Sequence, residues 1–319
     1  MLDGGKLGSK RHVNLPGVRI NLPSITAKDI DDIKFGITQK VDFIALSFVR
    51  NAKDVDELNK ILLDHKSSAK IISKIENYDG LNNIDEICIS SWGVMVARGD
   101  LGIETSLTNL PNIQRKIMHS CAKYGKRSIV ATHLLESMIT NPTPTRAEVT
   151  DIANAIYEGT DAVMLSGETS VGKYPIECIK FIKTIAQETE KFKTLGYEKN
   201  LILDSDWKHI GQTAKNLAES INANGIIAIT RTGASASFIA SAKPNGVPIF
   251  TFTNNEITHR QLNLVGSTIG FFLADISNHD ETILECKKIL KKQFNANEKL
   301  KFIIVSGIFS EKHSDAIQI

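Results

Sequence analysis

Long apolar runs are missing from this chain. No stretch reaches the roughly 20 residues that a membrane-spanning helix needs. The opening Met1-Leu-Asp-Gly-Gly-Lys6 also lacks the apolar core of a secretory leader. Cysteine is sparse. Cys88, Cys121, Cys178 and Cys286 are scattered without CxxC spacing, so they read as reduced, core-packing thiols of a cytosolic protein. The eight histidines show no metal-ligand spacing. A dominant charge of either sign is absent as well: the net charge of +2 gives no reason to expect a nucleic acid or a membrane as partner. What remains is 319 residues with 42% hydrophobic and 23% charged content. That is ordinary for a soluble globular chain and long enough for two domains.

Strand–helix alternation is what the chain does have. Thr26 and Asp29 form a capping pattern ahead of Ile30, Ile33 and Ile37 at helical spacing. The apolar run Asp42–Phe48 reads as a buried strand, and 51–64 as a helix with Val55, Leu58 and Leu62 on one face. A strand ending at Lys74, a short helical stretch near 82–88 and a strand ending at Arg98 follow. Pro111 and Gly125 bracket a helix over 112–123. Then come a strand over 127–132, a helix opened by the capping box Thr145–Glu148, a strand over 161–165 and a helix over 175–191. Five such repeats predict parallel strands near residues 43, 70, 94, 128 and 162, joined by right-handed crossovers. From about residue 196 a second, smaller unit repeats the alternation with strands near 225, 247, 270 and 301 and a last one at 316–319. It reads as a doubly wound α/β domain.

The stretch from Ile71 to Glu104 carries the chemistry. Two apolar strands each end in charge: Lys74 and Glu76 close one, Arg98 and Asp100 the next. Carboxyl ends of parallel strands are where α/β proteins place reactive groups. Lys74 and Glu76 are two residues apart, so on a strand they share a side. Two carboxylates, Glu76 and Asp100, suit Mg²⁺, which takes one or two carboxylates and completes its shell with water and phosphate oxygens. Gly99 and Gly102 allow backbone amides to approach an anion at a helix start. Taken singly, each charge is more simply a solvated residue and Gly99-Asp-Leu-Gly102 a turn. The combination across two strand ends is what favours a site.

Four segments in this order and spacing, Ile72-Ser-Lys-Ile-Glu76, Met95-Val-Ala-Arg-Gly-Asp-Leu-Gly102, Pro144-Thr-Arg-Ala-Glu148 and Met164-Leu-Ser-Gly-Glu-Thr169, resemble the pyruvate kinase family over nearly the whole chain. The resemblance implies an α/β fold: a partial (β/α)₈ TIM-type barrel of about five of eight strands, then a small doubly wound α/β C-terminal domain. The implied domains are a lid remnant at 1–17, the barrel at 18–195 and the C-terminal unit at 196–319. It implies a cytoplasmic glycolytic enzyme that moves a phosphoryl group from phosphoenolpyruvate to ADP, giving pyruvate and ATP. Partners would be those substrates and products, in a homo-oligomer that is tetrameric in the family. Cofactors would be Mg²⁺, held by Glu76 and Asp100, and K⁺, whose family site lies largely in a segment that nothing here resembles.

Carried over residue by residue, Lys74 is the cation that steadies the phosphoryl group and the enolate oxygen, and Thr132 orients the proton donor. The amides of Gly99 and Asp100 hold the substrate carboxylate. Lys10 and Arg11 match positions near the nucleotide phosphates. Ser166 and Glu168 support the site. His133 stands where the family has Gln. Thr230, Thr232, Gly233 and Ser235 match an effector-phosphate loop of some members, but without an accompanying Lys or Arg cluster they read more simply as a strand-to-helix turn.

Five strands leave two open sheet edges, so the chain is expected to be an N-terminally truncated barrel with little or no activity alone. The alternative is a catalytically inactive fragment that docks on, or regulates, a full-length subunit. A metal-dependent aldolase or lyase of the same barrel group is a third reading, which the Thr132 segment and the C-terminal unit argue against.

Overall fold

The structure is a computed structural model that describes residues 23–294, 300–306 and 316–319. The proposed lid remnant, with Lys10 and Arg11, lies outside the described residues. In chain order the first unit runs α1 (Ala27–Thr38), β1 (Phe43–Leu46), α2 (Ala52–Asp64), β2 (Lys70–Ile75), α3 (Tyr78–Asn82), α4 (Ile84–Ser90), β3 (Gly93–Ala97) and α5 (Arg98–Glu104). It continues α6 (Leu110–Tyr124), β4 (Arg127–Ala131), α7 (Arg146–Tyr157), β5 (Ala162–Met164), α8 (Gly167–Ser170) and α9 (Pro175–Thr189). The second unit runs α10 (Asp206–Ser220), β6 (Gly225–Ile229), α11 (Ala234–Ser241), β7 (Ile249–Thr253) and α12 (Glu256–Leu262). After these come β8 (Thr268–Phe272), α13 (His279–Gln293), β9 (Phe302–Ser306) and β10 (Ala316–Gln318).

Strands β1 to β5 pair in sequence order and all in parallel. The second sheet has the order β10-β9-β6-β7-β8, parallel except for the antiparallel edge strand β10. Both expected architectures are therefore present. The capping boxes read from sequence form as hydrogen-bonded: Thr26 with Asp29 opens α1, and Thr145 with Glu148 opens α7. Gly125 ends α6 in the left-handed conformation (φ 68°), which an L side chain seldom adopts. One local expectation differs: the helical stretch near 82–88 is two short helices, α3 and α4, broken at Asn83. The helix start read at Gly99–Gly102 forms as α5, in place of the simpler turn.

Alternation along the first sheet decides what faces where. Ile71, Ile75, Val94, Val96 and Val130 point toward the helices and pack with Leu58, Ile117 and Ile152 in one large buried core. Ile72, Met95, Ile129 and Ala131 point to the opposite face and form a small cluster closed by Phe43, Trp92, Ala162 and Leu264. Lys74 shares this second face, two residues beyond Ile72. Central β3 and β4 are buried along their whole length, whereas edge strands β1 and β5 are only partly covered. All four cysteines are buried free thiols.

The second unit docks on the amino ends of the first sheet's strands. Arg260 of α12 grips Asp42, just before β1, with Nε 2.9 Å from Oδ2 and Nη2 3.0 Å from Oδ1. Gln261 donates to the carbonyls of Asp42 and Ser68. Deeper in, Asp161 accepts from Arg127, from Lys243 at 2.8 Å, and from the amides of Ser128 and Gly266. Arg127 also reaches Ser241 at the end of α11. Burial by itself would raise the Asp161 carboxyl; the two cations and the hydrogen bonds outweigh it and hold the group below the usual carboxylate range.

Removing one partner of such a buried pair leaves an uncompensated charge and typically costs about 3–5 kcal/mol. Asp161→Asn is therefore expected to lower the free energy of urea unfolding by about that amount. Because the folded-state value is depressed, the stability that Asp161 contributes is present above the unfolded carboxylate value of about 3.9 and is lost as pH falls through the folded value. A variant with an unchanged denaturation midpoint and acid limb refutes this role.

Candidate active site

Lys74 and Glu76 meet at the carboxyl end of β2, and Asp100 follows β3, the neighbouring strand. Lys74, on the last turn of the pleat in β2, places Nζ 2.9 Å from Glu76 Oε1 and donates to Ser47 Oγ, also at 2.9 Å. Glu76 is 1% exposed. Its second oxygen, Oε2, accepts the backbone N–H of Phe48 at 2.7 Å. That amide is aimed by an unusual backbone: Phe48 lies at φ 52°, a left-handed conformation that a bulky residue rarely holds without reason. The loop after β1 thus braces both groups of the Lys74–Glu76 pair, one through a hydroxyl and one through an amide.

Asp100 stands in the first turn of α5, where the positive end of the helix favours a carboxylate. It is partly exposed and makes no ion pair or side-chain hydrogen bond among the described residues. No three or more His, Cys, Asp or Glu side chains converge among the described residues. The carboxylates Glu76, just after β2, and Asp100, in the first turn of α5, are the two candidate ligands at these strand ends. That set fits Mg²⁺, which keeps several waters and substrate oxygens, and does not fit a metal that needs an all-protein cage. The hard oxygen donors, with Glu76 Oε1 held only by a lysine ammonium on a flexible stem, are the observation in favour of that fit.

Thr132 follows β4 at the same end of the sheet. Thr132 (φ 76°) and His133 (φ 55°) are both left-handed, which is costly for a β-branched residue. Arg98 holds this bend. Its Nε donates to the carbonyl of Thr132 at 3.1 Å, its Nη2 to the carbonyls of Thr132 and His133, and its Nη1 pairs with Asp151 of α7. Gly99 completes the contact: a Cβ there would stand 3.2 Å from Thr132 Cγ2, so a side chain would push the threonine away. The backbone turn of His133 is fixed through its carbonyl while its side chain is exposed. Glu168, fully buried, accepts from the amides of Leu135 and Ser166 and ties the loop after β5 to the loop after β4. In the strand-to-helix loop of the second unit, Thr230 Oγ1 accepts the amide of Gly233, and Thr258 of α12 donates to the carbonyl of Arg231.

Residue-by-residue reading gave no role to Ser47, Phe48 or Arg98. Arg98 carried a signal, a charge at the end of an all-apolar strand. Ser47 and Phe48 carried none, because their part depends on which strand lies beside β2.

A parallel sheet with helices on one face and a second α/β unit at the amino ends define a TIM-barrel-type α/β protein, with Lys74, Glu76, Asp100 and Thr132 each at or just beyond a strand's carboxyl end. Comparison with known proteins agrees. The family model for the pyruvate kinase barrel domain matches residues 1–179, and that for the pyruvate kinase alpha/beta domain matches 208–319. The chain belongs to the pyruvate kinase family. Among its relatives is the pyruvate kinase of Bacillus licheniformis, 42% identical over 300 residues, which are 92% of this chain and 51% of the relative. Another, from Staphylococcus epidermidis, is 45% identical over 269 residues, 83% of this chain and 46% of the relative. A solved pyruvate kinase of Cryptosporidium parvum superimposes with a TM-score of 0.89 at 35% identity, covering 92% of this chain and 62% of that one. The chain therefore spans about half the length of the curated relatives it matches.

Arg98→Gln removes the fork that holds Thr132 and His133 and leaves Asp151 without its partner. Hydrogen bonds from a charged donor contribute about 1.5–3 kcal/mol, so the variant is expected to lose about 2–3 kcal/mol in chemical denaturation. An undiminished stability, with an unaltered backbone at Thr132 in a crystal structure of the variant, refutes the clamp.

Proposed function

We propose that this chain carries the phosphoryl-transfer rim of a pyruvate kinase, acting on phosphoenolpyruvate and ADP to give pyruvate and ATP. The observation that carries this reading is the placement of Lys74 Nζ against Glu76 on the carboxyl end of β2, braced by Ser47 and Phe48. Residues 18–195 would be the barrel unit and 196–319 the second α/β unit, a division supported by the separate sheets and separate apolar clusters.

Phosphoryl transfer asks for positioning and charge neutralisation more than for covalent help from the protein. Mg²⁺, when bound through Glu76 and Asp100, supplies a Lewis acid for the substrate oxygens. Lys74 would neutralise charge on the phosphoryl group and on the enolate oxygen left behind. The amides of Gly99 and Asp100, at the start of α5, would hold the substrate carboxylate. Thr132, fixed by Arg98 against Gly99, would orient the group that protonates the enolate. Glu168 would act at a distance, by keeping the loop after β4 in place.

A second reading has an observation of its own. Strands β1 and β5 each have one neighbour among the described residues, and exposed strand edges invite another chain. On that reading the molecule docks on a full-length subunit without turnover. Pyruvate formation from phosphoenolpyruvate, with ADP, Mg²⁺ and K⁺ present, separates the two. Under the first reading Lys74→Ala lowers turnover by about 10²–10³-fold, the usual loss for one charged transition-state contact. Turnover in Lys74→Ala equal to that of the parent chain rejects the role of Lys74, and no ADP-dependent pyruvate in either favours the docking reading.

A further inference from the structure

Glu76 has only two oxygens, and both are engaged by neighbours. Oε2 takes the Phe48 amide at 2.7 Å, and Oε1 takes the Lys74 ammonium at 2.9 Å. The carboxylate is sealed at 1% exposure, whereas the Lys74 side chain is 25% exposed and has a second partner, Ser47 Oγ, at 2.9 Å. The Phe48 amide belongs to a strained backbone turn and is a fixed contact. The Lys74 contact ends a flexible four-carbon chain and is the movable one.

We propose that Lys74 and a divalent cation are alternatives at Glu76 Oε1, with Ser47 as the positioning residue that keeps the displaced ammonium on the rim. This rests on the phosphoryl-transfer reading above. A small divalent ion sits about 2.1 Å from a carboxylate oxygen. An ion at that distance from Oε1 would lie at most about 5 Å from an ammonium that is 2.9 Å from the same atom. Two like charges at that separation beside a buried carboxylate repel, and the shared oxygen favours one occupant over two. One of them has to leave. The fixed amide on Oε2 means that Glu76 cannot turn to offer its other oxygen without breaking the Phe48 contact. Lys74 can leave, because Ser47 Oγ offers an acceptor that does not compete for the carboxylate. The ammonium thereby serves as the counter-ion of Glu76 when the cation is elsewhere. It is released toward the substrate when the cation arrives, so that metal loading and the presentation of Lys74 form a single event.

The two residues beside Glu76 are then expected to act in opposite directions on metal affinity, which a purely structural role for either does not produce. The test is a titration with Mn²⁺ alone, read by the electron spin resonance signal of the free ion, on the full chain and four variants. Far-UV circular dichroism confirms the fold of each. Lys74→Met, which removes the charge and keeps the length, should bind Mn²⁺ about tenfold more tightly or better. Lys74→Arg should stay near the parent affinity. Ser47→Ala, which leaves Lys74 with Glu76 as its remaining partner, should bind more weakly. Glu76→Gln should lose the ion. Binding that is lost in Glu76→Gln but unchanged or weakened in Lys74→Met overturns the competition and leaves the metal reading standing. Binding that survives Glu76→Gln intact, or that is absent from both the parent chain and Lys74→Met, overturns the metal reading and this inference together.

Discussion

A carboxylate that water scarcely reaches organises this molecule. Glu76 is buried at the end of a parallel strand, where a lone charge would be strongly disfavoured. It stays there because three groups from two adjacent strands surround it: the ammonium of Lys74, the hydroxyl of Ser47 behind that ammonium, and the amide of Phe48. The pairing register of β1 with β2 sets Leu46 beside Ser73. It thereby carries the chain just beyond β1 alongside the end of β2. Shifting that register by one residue would turn Lys74 toward the helices and replace it on the rim by an apolar neighbour.

The two ends of the first sheet do different work. At the amino ends, Arg127, Asp161 and Asp42 are tied to Ser241, Lys243, Gly266 and Arg260, all contacts that hold the second unit in place. At the carboxyl ends the backbone takes left-handed turns at Phe48, Thr132 and His133. Strain at the working end is sustained by over-determined neighbours, of which Arg98 is the clearest: one guanidinium serves three successive carbonyls, those of Ala131, Thr132 and His133, and a carboxylate on α7. This is the division of labour expected of parallel α/β sheets, with stability at one end and chemistry at the other.

Much of the architecture was legible before any coordinates. The capping boxes at Thr26 and Thr145 opened α1 and α7 where expected, and the apolar runs near 43, 70, 94, 128 and 162 became five parallel strands. Local signals of this kind depend on neighbours within a few residues. The helix α5 was less legible, since Gly99 and Gly102 mark a turn by propensity. Tertiary contact overrides that propensity: Leu101 is fully buried, and Gly99 is needed small because Thr132 lies against it. His133 is held by Arg98 through its backbone carbonyl, and the residue is exposed.

The order of residues alone settled that Lys74 and Glu76 share a face, because side-chain direction on a strand alternates with period two whatever surrounds it. It likewise settled the family, through four short segments at their spacing. Tertiary structure decided what those residues touch. Ser47, Phe48 and Arg98 lie 27, 28 and 34 positions from the groups they hold, and no local rule reports which strand end will lie beside another. Asp161 and Lys243, 82 positions apart, meet only because the second unit docks against the first. Hydrogen bonds between such distant groups are set by the packing of whole elements, and that packing is a property of the assembled chain.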